Sequence, residues 1–273
     1  MSINLKGTLV LAGAGKMGSA MLEGWLKAGA DPQKIVAIDP MPPKEVVELL
    51  SLHNIRHNPP IGSITDAEVI VVAVKPQVME DVLPNLVSLK SSHPVILSVA
   101  AGKTIATFAR HFGEDAAIIR TIPNTPAAIG RGITAMSANA HVSKAQMRLA
   151  TALLDSTGEV VTVENESMID LVTAVSGSGP AYVFYLTECL ANAGVKIGLP
   201  ADLAMQLARA TVAGSGELMR QTGIDAATLR QNVTSPKGTT YAALQLLMAD
   251  DGMMPLFEKA IAAAARRSKE LAS

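Results

Sequence analysis

Along the first 163 positions, apolar residues fall into short runs separated by polar intervals that can form helices. The runs are Thr8 to Ala12, Ile35 to Ile38, Val69 to Val74, Val95 to Val99, Ala117 to Ile119 and a weaker Gly132 to Met136, with Glu159 to Val163 closing the series. They are apolar at successive positions rather than alternate ones, as strands buried on both faces are. With helices between them they predict a parallel sheet covered on both sides. After about Glu164 the strand pattern stops. Ala-, Leu- and Met-rich stretches with helical spacing begin near Met168, Ala181, Asp202, Ala226, Thr239 and Met253, with breaks at Gly194 with Gly198, near Gly223 and over Asp250 to Gly252. The pattern therefore predicts an α/β domain over residues 1–164 and an all-helical domain over residues 165–273.

Composition narrows this picture in three ways. Lys and Arg total 23 against 24 Asp and Glu, so no broad basic surface marks a nucleic-acid or anionic-membrane partner. The apolar opening is broken by Gly13 and Gly15, and no apolar stretch reaches the roughly 18 residues of a spanning helix, so the chain reads as soluble. The single cysteine, Cys189, excludes an intrachain disulfide framework and makes a reducing cytosol the simplest setting. Aromatics are only 3% of the chain, so Leu, Met and Ala must supply the helical domain's contacts, and a small domain of this kind gains from a core shared with a second copy.

The first chemical feature is LVLAGAGKMGSAM, a G-x-G-x-x-G spacing immediately after the first strand. Gly13 permits the tight turn, Gly15 lets a pyrophosphate approach the backbone, and Gly18 lets the following helix pack on the sheet. The N–H groups at that helix start, Lys16 and Met17 included, would face the anion, while the Met17 side chain reads as packing. This makes the first domain Rossmann-like. Asp39 ends the second strand, 26 residues after Gly13, where an acid accepts hydrogen bonds from adenosine ribose hydroxyls and repels a 2′-phosphate. That tilts the reading toward NADH over NADPH.

Other strand ends supply further candidates for the cofactor crevice. In VIVVAVKPQ, Val74 offers an apolar contact near the nicotinamide, Pro76 stops helical continuation, and Lys75 reads equally as a cofactor contact or a solvated lysine. In SVAAG, Ala100, Ala101 and Gly102 are small enough to admit a planar ring; in RTIPNTPA, Asn124 borders the same pocket. All three segments also read as ordinary turns. The five histidines form no metal-ligand set, so no metal is expected, and AVSGSGPAY lacks the strand–elbow–helix context of a serine hydrolase.

Two hydroxyl-rich segments mark the helical domain. SGSGPAY places Ser176 and Ser178 before a helix, with hydroxyls available for capping and Pro180 in its first turn. NVTSPKGTTYAAL places Thr234, Ser235, Thr239 and Thr240 around Pro236 and Gly238 before another. Hydroxyls with free N–H groups at a helix start can hold a small carboxylate, and they serve equally as ordinary caps.

In this order, G-x-G-x-M-G, AVKPQ, SVAAG, PNTPA, SGSGPAY and V-T-S-P-x-G-T-T resemble pyrroline-5-carboxylate reductase over almost the whole chain. That family reduces the cyclic imine 1-pyrroline-5-carboxylate to L-proline with NADPH or NADH, the final step of proline biosynthesis. The resemblance implies an amino-terminal cofactor domain and a homodimer joined through the helical domain, with dimers often assembled into decamers. It also implies substrate binding near Ser235 and Gly238 to Thr240, with Ser176 supporting and Thr240 beside the substrate nitrogen. Two departures stand out. Lys237 replaces the first glycine of the usual Gly-Gly, at a steric cost if that position needs positive φ, and TGIDAATLRQNV lacks the usual His-Pro and Lys-Asp elements. Lys237 reads either as a carboxylate contact or as solvent-facing. Three alternatives share parts of this plan: a hydroxy-acid dehydrogenase, for which a proton-managing Lys or His is wanting, a reductase of a larger cyclic imine, and a nucleotide-responsive binding protein.

Overall fold

A computed structural model describes residues 3–272. Its strands are β1 (Thr8–Ala12), β2 (Ile35–Ile38), β3 (Arg56–His57), β4 (Ala67–Val72), β5 (Val95–Ser98), β6 (Ile118–Ile122), β7 (Gly132–Ala138) and β8 (Gly158–Thr162). They form one sheet in the order β3-β2-β1-β4-β5-β6-β7-β8. The first six are parallel to their neighbours, which gives the doubly wound order with a switch point between β1 and β4, beyond whose carboxyl ends ligands bind.

Alternate residues of β1, β2, β4, β5 and β6 feed two cores, which is why these strands read as largely unbroken apolar runs. On one face Leu9, Leu11, Ile35, Val69, Val71 and Leu97 meet Met21, Leu22 and Trp25 of α1 (Lys16–Lys27), Leu50 of α2 (Lys44–Leu52) and Leu153 of α5 (Lys144–Asp155). On the other, Val10, Val36, Ile70, Val72 and Ile96 meet Leu83 of α3 (Met79–Leu86) and Phe108 of α4 (Ile105–Phe112). Trp25 is fully buried, and its indole N–H donates to the Leu153 carbonyl over 3.0 Å, tying α1 to α5.

Two features depart from the sequence expectation of a parallel sheet. β3 is only two residues long and exposed, so it carries no apolar run to read. β7 lies antiparallel to β6 because the link between them, a single 3-10 turn at Thr125–Ile129, is too short for a parallel crossover. A crossover through α5 then lets β8 pair in parallel with β7.

The chain divides into two compact units, residues 1–177 with 265–273, and residues 178–264. The expected boundary after residue 164 differs from this division. The first unit also holds α6 (Met168–Val172), which leads into a π-helical turn, Thr173–Gly177, and Ile169 of α6 packs against Ile122 and Ala135 of the sheet. The second unit contains α7 (Gly179–Lys196), α8 (Ala201–Thr222), α9 (Ala226–Asn232), α10 (Thr239–Leu247) and the start of α11 (Met253–Ala272). Its buried residues are alanines, Ala191 of α7 with Ala204 and Ala208 of α8, so these helices approach closely on small side chains. Gly198 (φ 108°) and Gly223 (φ 64°) stand just past the ends of α7 and α8, where positive φ suits glycine. Gly194 instead lies inside α7. Much of the unit's apolar surface stays exposed, including Val183, Phe184, Leu186 and Leu190 of α7 and Leu203 and Leu207 of α8.

Among the described residues no helix is long and apolar enough to cross a membrane, and no group of three or more His, Cys, Asp or Glu side chains is placed to hold a metal ion.

Candidate active site

The glycine-rich turn joins β1 to α1, and close packing fixes its shape. Gly13 has φ 92°, and a Cβ there would stand 2.7 Å from the Ala73 carbonyl carbon. A Cβ on Gly18 would overlap the carbonyl oxygen of Gly13. Gly15, at the N-cap of α1, has nothing within 4 Å of its Cβ position, so the backbone there is open to a ligand. Its N-cap position and the absence of a capping side chain leave the first N–H groups of α1 to an anion. Lys16 is exposed on the first turn, while Met17 is half-buried against the core.

Asp39 is bound into this turn. Its Oδ2 accepts from the Ala14 N–H over 2.7 Å and its Oδ1 from the Met41 N–H over 2.9 Å. Its backbone is held in turn by Asn58, whose amide accepts from the Asp39 N–H at 2.9 Å and donates to the Asp39 carbonyl at 2.8 Å; His57 Nε2 lies 3.0 Å from the same carbonyl. Sequence reasoning missed this clasp. The one available signal was an asparagine directly after HNIRH, and Asn58 does adopt φ 49°, a conformation asparagine tolerates better than most residues. Lys44, the nearest following cation in sequence, pairs with Glu48 at 3.7 Å.

The other cofactor candidates occupy the carboxyl edge of the same sheet. Val74 follows β4 and is half-buried, while Lys75 is exposed and caps a 3-10 turn that Pro76 opens. Ala100 is buried, Ala101 exposed, and Gly102 has φ 70°. Asn124 follows β6, and its side-chain oxygen accepts from the Ile133 N–H at 3.0 Å, so this residue ties the β6–β7 link together. A cavity of about 450 Å³, lined by Lys90, His93, Phe112, Asp115 and His141 among others, lies at the opposite edge, where β5 and β6 begin, away from all of these.

Ser176 belongs to the first unit. It sits in the π-helical turn, half-buried, with its hydroxyl donating to the Val172 carbonyl over 3.2 Å. Ser178 occupies the N-cap of α7 but makes no side-chain capping bond, a departure from the expected hydroxyl cap. Its φ and ψ of −87° and −19° are already helical, continuing the π turn, whereas a capping hydroxyl needs an extended backbone.

The second unit carries the remaining candidates. Gly238 is the N-cap of α10, Thr239 and Thr240 form its first turn, and the Gly238 N–H donates to the Ser235 carbonyl at 3.0 Å. Any Cβ on Gly238 would collide with the Ser235 hydroxyl, so glycine keeps that hydroxyl over the helix start. No side chain caps α10. Ser235, Lys237 and Thr239 are exposed, and Thr240 is half-buried. Lys237 adopts φ 57°, so the loop does require positive φ where lysine replaces glycine. Relief of this strain, less the extra chain entropy of glycine, is expected to make Lys237→Gly more stable by about 0.5–1 kcal/mol. A thermal melt that shows no gain in midpoint would rule out strain at this position.

A glycine turn with no room for side chains except at its open tip, an acid at the end of β2, and small residues at the neighbouring strand ends define a dinucleotide-dependent oxidoreductase of the doubly wound class. Residues 8–102 match a family profile described as NADP oxidoreductase, coenzyme F420-dependent, and residues 166–271 match one for pyrroline-5-carboxylate reductase dimerisation. The chain belongs to the pyrroline-5-carboxylate reductase family. It is 36% identical to the pyrroline-5-carboxylate reductase of Pseudomonas aeruginosa over 97% of this chain and 96% of that one. Its fold is shared with a pyrroline-5-carboxylate reductase from Coxiella burnetii (TM-score 0.91, 31% identity, 98% of this chain and 100% of that one). It also matches the Plasmodium falciparum pyrroline carboxylate reductase with NADP bound (TM-score 0.81, 28% identity, 98% of this chain and 99% of that one).

Proposed function

We propose that this chain reduces 1-pyrroline-5-carboxylate to L-proline, the closing step of proline biosynthesis. The observation that carries the reading is the uncapped start of α10, where the Ser235 hydroxyl lies against Gly238, in a member of this family. Bound NADH or NADPH would supply the hydride, held by the backbone of Gly13 to Gly18 and by Asp39, with Val74, Lys75, Pro76, Ala100 to Gly102 and Asn124 bordering it. Ser235, Lys237 and the Thr239 N–H at the uncapped start of α10 hold the substrate carboxylate without a strongly basic pocket, and Gly238, its own N–H taken by the Ser235 carbonyl, shapes the bend beneath it. Thr240 hydrogen-bonds the ring nitrogen. Hydride would add to the imine carbon and the C=N π pair would become a lone pair on nitrogen, which keeps the proton of a protonated imine or takes one from solvent to give the amine, and no metal is needed to make that carbon electrophilic. Because Lys237 meets the carboxylate in this scheme, Lys237→Gly raises the substrate KM even as it relieves the loop.

Asp39 favours NADH. Its carboxylate is pinned by two backbone N–H groups at the ribose end of the turn, where a 2′-phosphate would meet like charge. Asp39→Ser is expected to shift the kcat/KM ratio toward NADPH by about tenfold. An unchanged ratio would remove Asp39 from this role.

The exposed apolar faces of α7 and α8 support a homodimer as the working unit, with the decamer as its further assembly. Sedimentation of the purified protein measures both, and a monomer at micromolar concentration would contradict the dimer. The chain is assigned to the cytoplasm.

A further inference from the structure

We propose that the carboxyl-terminal turn of α11 is a positioning element for the loop between β5 and α4, Val99 to Thr104, and so sets the affinity for the nicotinamide half of the cofactor. This rests on the reading above that Ala100 to Gly102 border the nicotinamide.

The residues involved all lie in the first compact unit, to which the last turns of α11 return. Arg120 of β6 is 2% exposed and bridges two carboxylates, Glu166 at 3.1 Å and Asp170 of α6 at 3.1 Å. Ser268 of α11, 7% exposed, donates its hydroxyl to Asp170 Oδ1 over 2.8 Å. Glu166 Oε1 also accepts from the Ile105 N–H over 2.7 Å, at the first residue of α4. One cluster therefore grips the end of the loop at α4 and the end of α11 together. Two carboxylates face one guanidinium, and the excess negative charge is met by the amino terminus of α4 and by the Ser268 hydroxyl.

The middle of the loop is held by the same helix. A Cβ on Gly102 would stand 3.1 Å from both the Cβ and the carbonyl oxygen of Leu271, so the glycine lies directly against α11. At its start the loop is fixed by the sheet, with the Val99 N–H on the Val72 carbonyl at 3.1 Å and the Ala100 N–H on the Ser98 hydroxyl at 3.3 Å. Ala101, exposed, lies between these anchors. The end of α11 thus braces the stretch whose small residues would admit the ring, although Ser268 and Leu271 touch neither cofactor nor substrate in this scheme.

Ser268→Ala removes the hydroxyl, and Ser268→Thr keeps one. Calorimetric titration of the folded full-length variants with NADH and with ADP-ribose, which lacks the nicotinamide, separates positioning from general weakening. Ser268→Ala is expected to weaken NADH about three- to tenfold, less than the full effect of one lost hydrogen bond to a charged group because it reaches the loop only through Asp170 and Arg120, and to leave ADP-ribose unchanged. Ser268→Thr recovers the parent affinity. Ala101→Leu, which fills the loop itself, weakens NADH as well. Parent-like NADH binding by Ser268→Ala while Ala101→Leu is impaired would overturn the proposal, as would equal losses on NADH and ADP-ribose. Parent-like binding by Ala101→Leu would instead overturn the assignment of this loop to the nicotinamide, and the proposal with it.

Discussion

Arg120→Met is expected to destabilise the protein by about 3 kcal/mol, the cost of leaving the buried Asp170 and the half-buried Glu166 without their cation. Glu166 and Asp170 would then face each other across the space the guanidinium fills, with Ser268 and the Ile105 N–H as their remaining partners. For a chain of this size, that loss lowers the thermal midpoint by roughly 10 °C, compared at equal protein concentration because self-association contributes to stability. The charge origin is separable from lost volume. Combining Arg120→Met with Glu166→Met and Asp170→Leu removes the stranded charges along with the cation, and is expected to cost less than the single substitution. If the triple variant is the less stable of the two, the cluster acts through packing and the charge account is wrong.

Thr240→Ala is expected to lower kcat about ten- to a hundredfold with little change in cofactor affinity. Thr240 lies in the first turn of α10 with no glycine-rich turn nearby in sequence, so its truncation leaves the dinucleotide cradle of Gly13 to Gly18 as it is. In the proposed scheme its hydroxyl orients the ring nitrogen as that atom becomes an amine, an interaction that matters more as the reaction proceeds than in the initial complex. Stopped-flow turnover and a separate NADH titration check both halves. Parent-like kcat removes Thr240 from the reaction, and a parallel loss of cofactor affinity would assign it a general structural role.

The parts of the fold legible in the sequence were those whose cause is local. Leu9 to Ala12 and Ile35 to Ala37 are buried on both faces and wholly apolar, so the strand limits follow closely from the runs themselves. The helices from Asp202, Ala226, Thr239 and Met253 were likewise visible through their spacing and the breaks at Gly198 and Gly223. Arg56–His57 was not, because an exposed two-residue strand is paired only through its backbone. The direction of β7 was hidden for another reason: Gly132–Ala138 has the same buried pattern in either orientation, and only the short preceding link decides it.

The site divides along the same line. The positive φ of Lys237 was foreshadowed by a lysine where the family usually has glycine, and the roles of Gly13 and Gly18 followed from spacing alone. The clasp of Asn58 on Asp39 and the cluster of Arg120, Glu166, Asp170 and Ser268 depend on chain crossings. Ser268 lies 98 residues from the carboxylate it meets, and nothing local to KMGSAM, SVAAG or the last helix marks those pairings.

The most direct test of the account is the oxidation of NADH and NADPH, measured separately, by the folded full-length protein on addition of 1-pyrroline-5-carboxylate, with the product identified. The account predicts substrate-dependent oxidation, one proline formed per dinucleotide oxidised, and faster turnover with NADH. Correctly folded protein that binds the dinucleotide but oxidises neither form when the imine is added would contradict it.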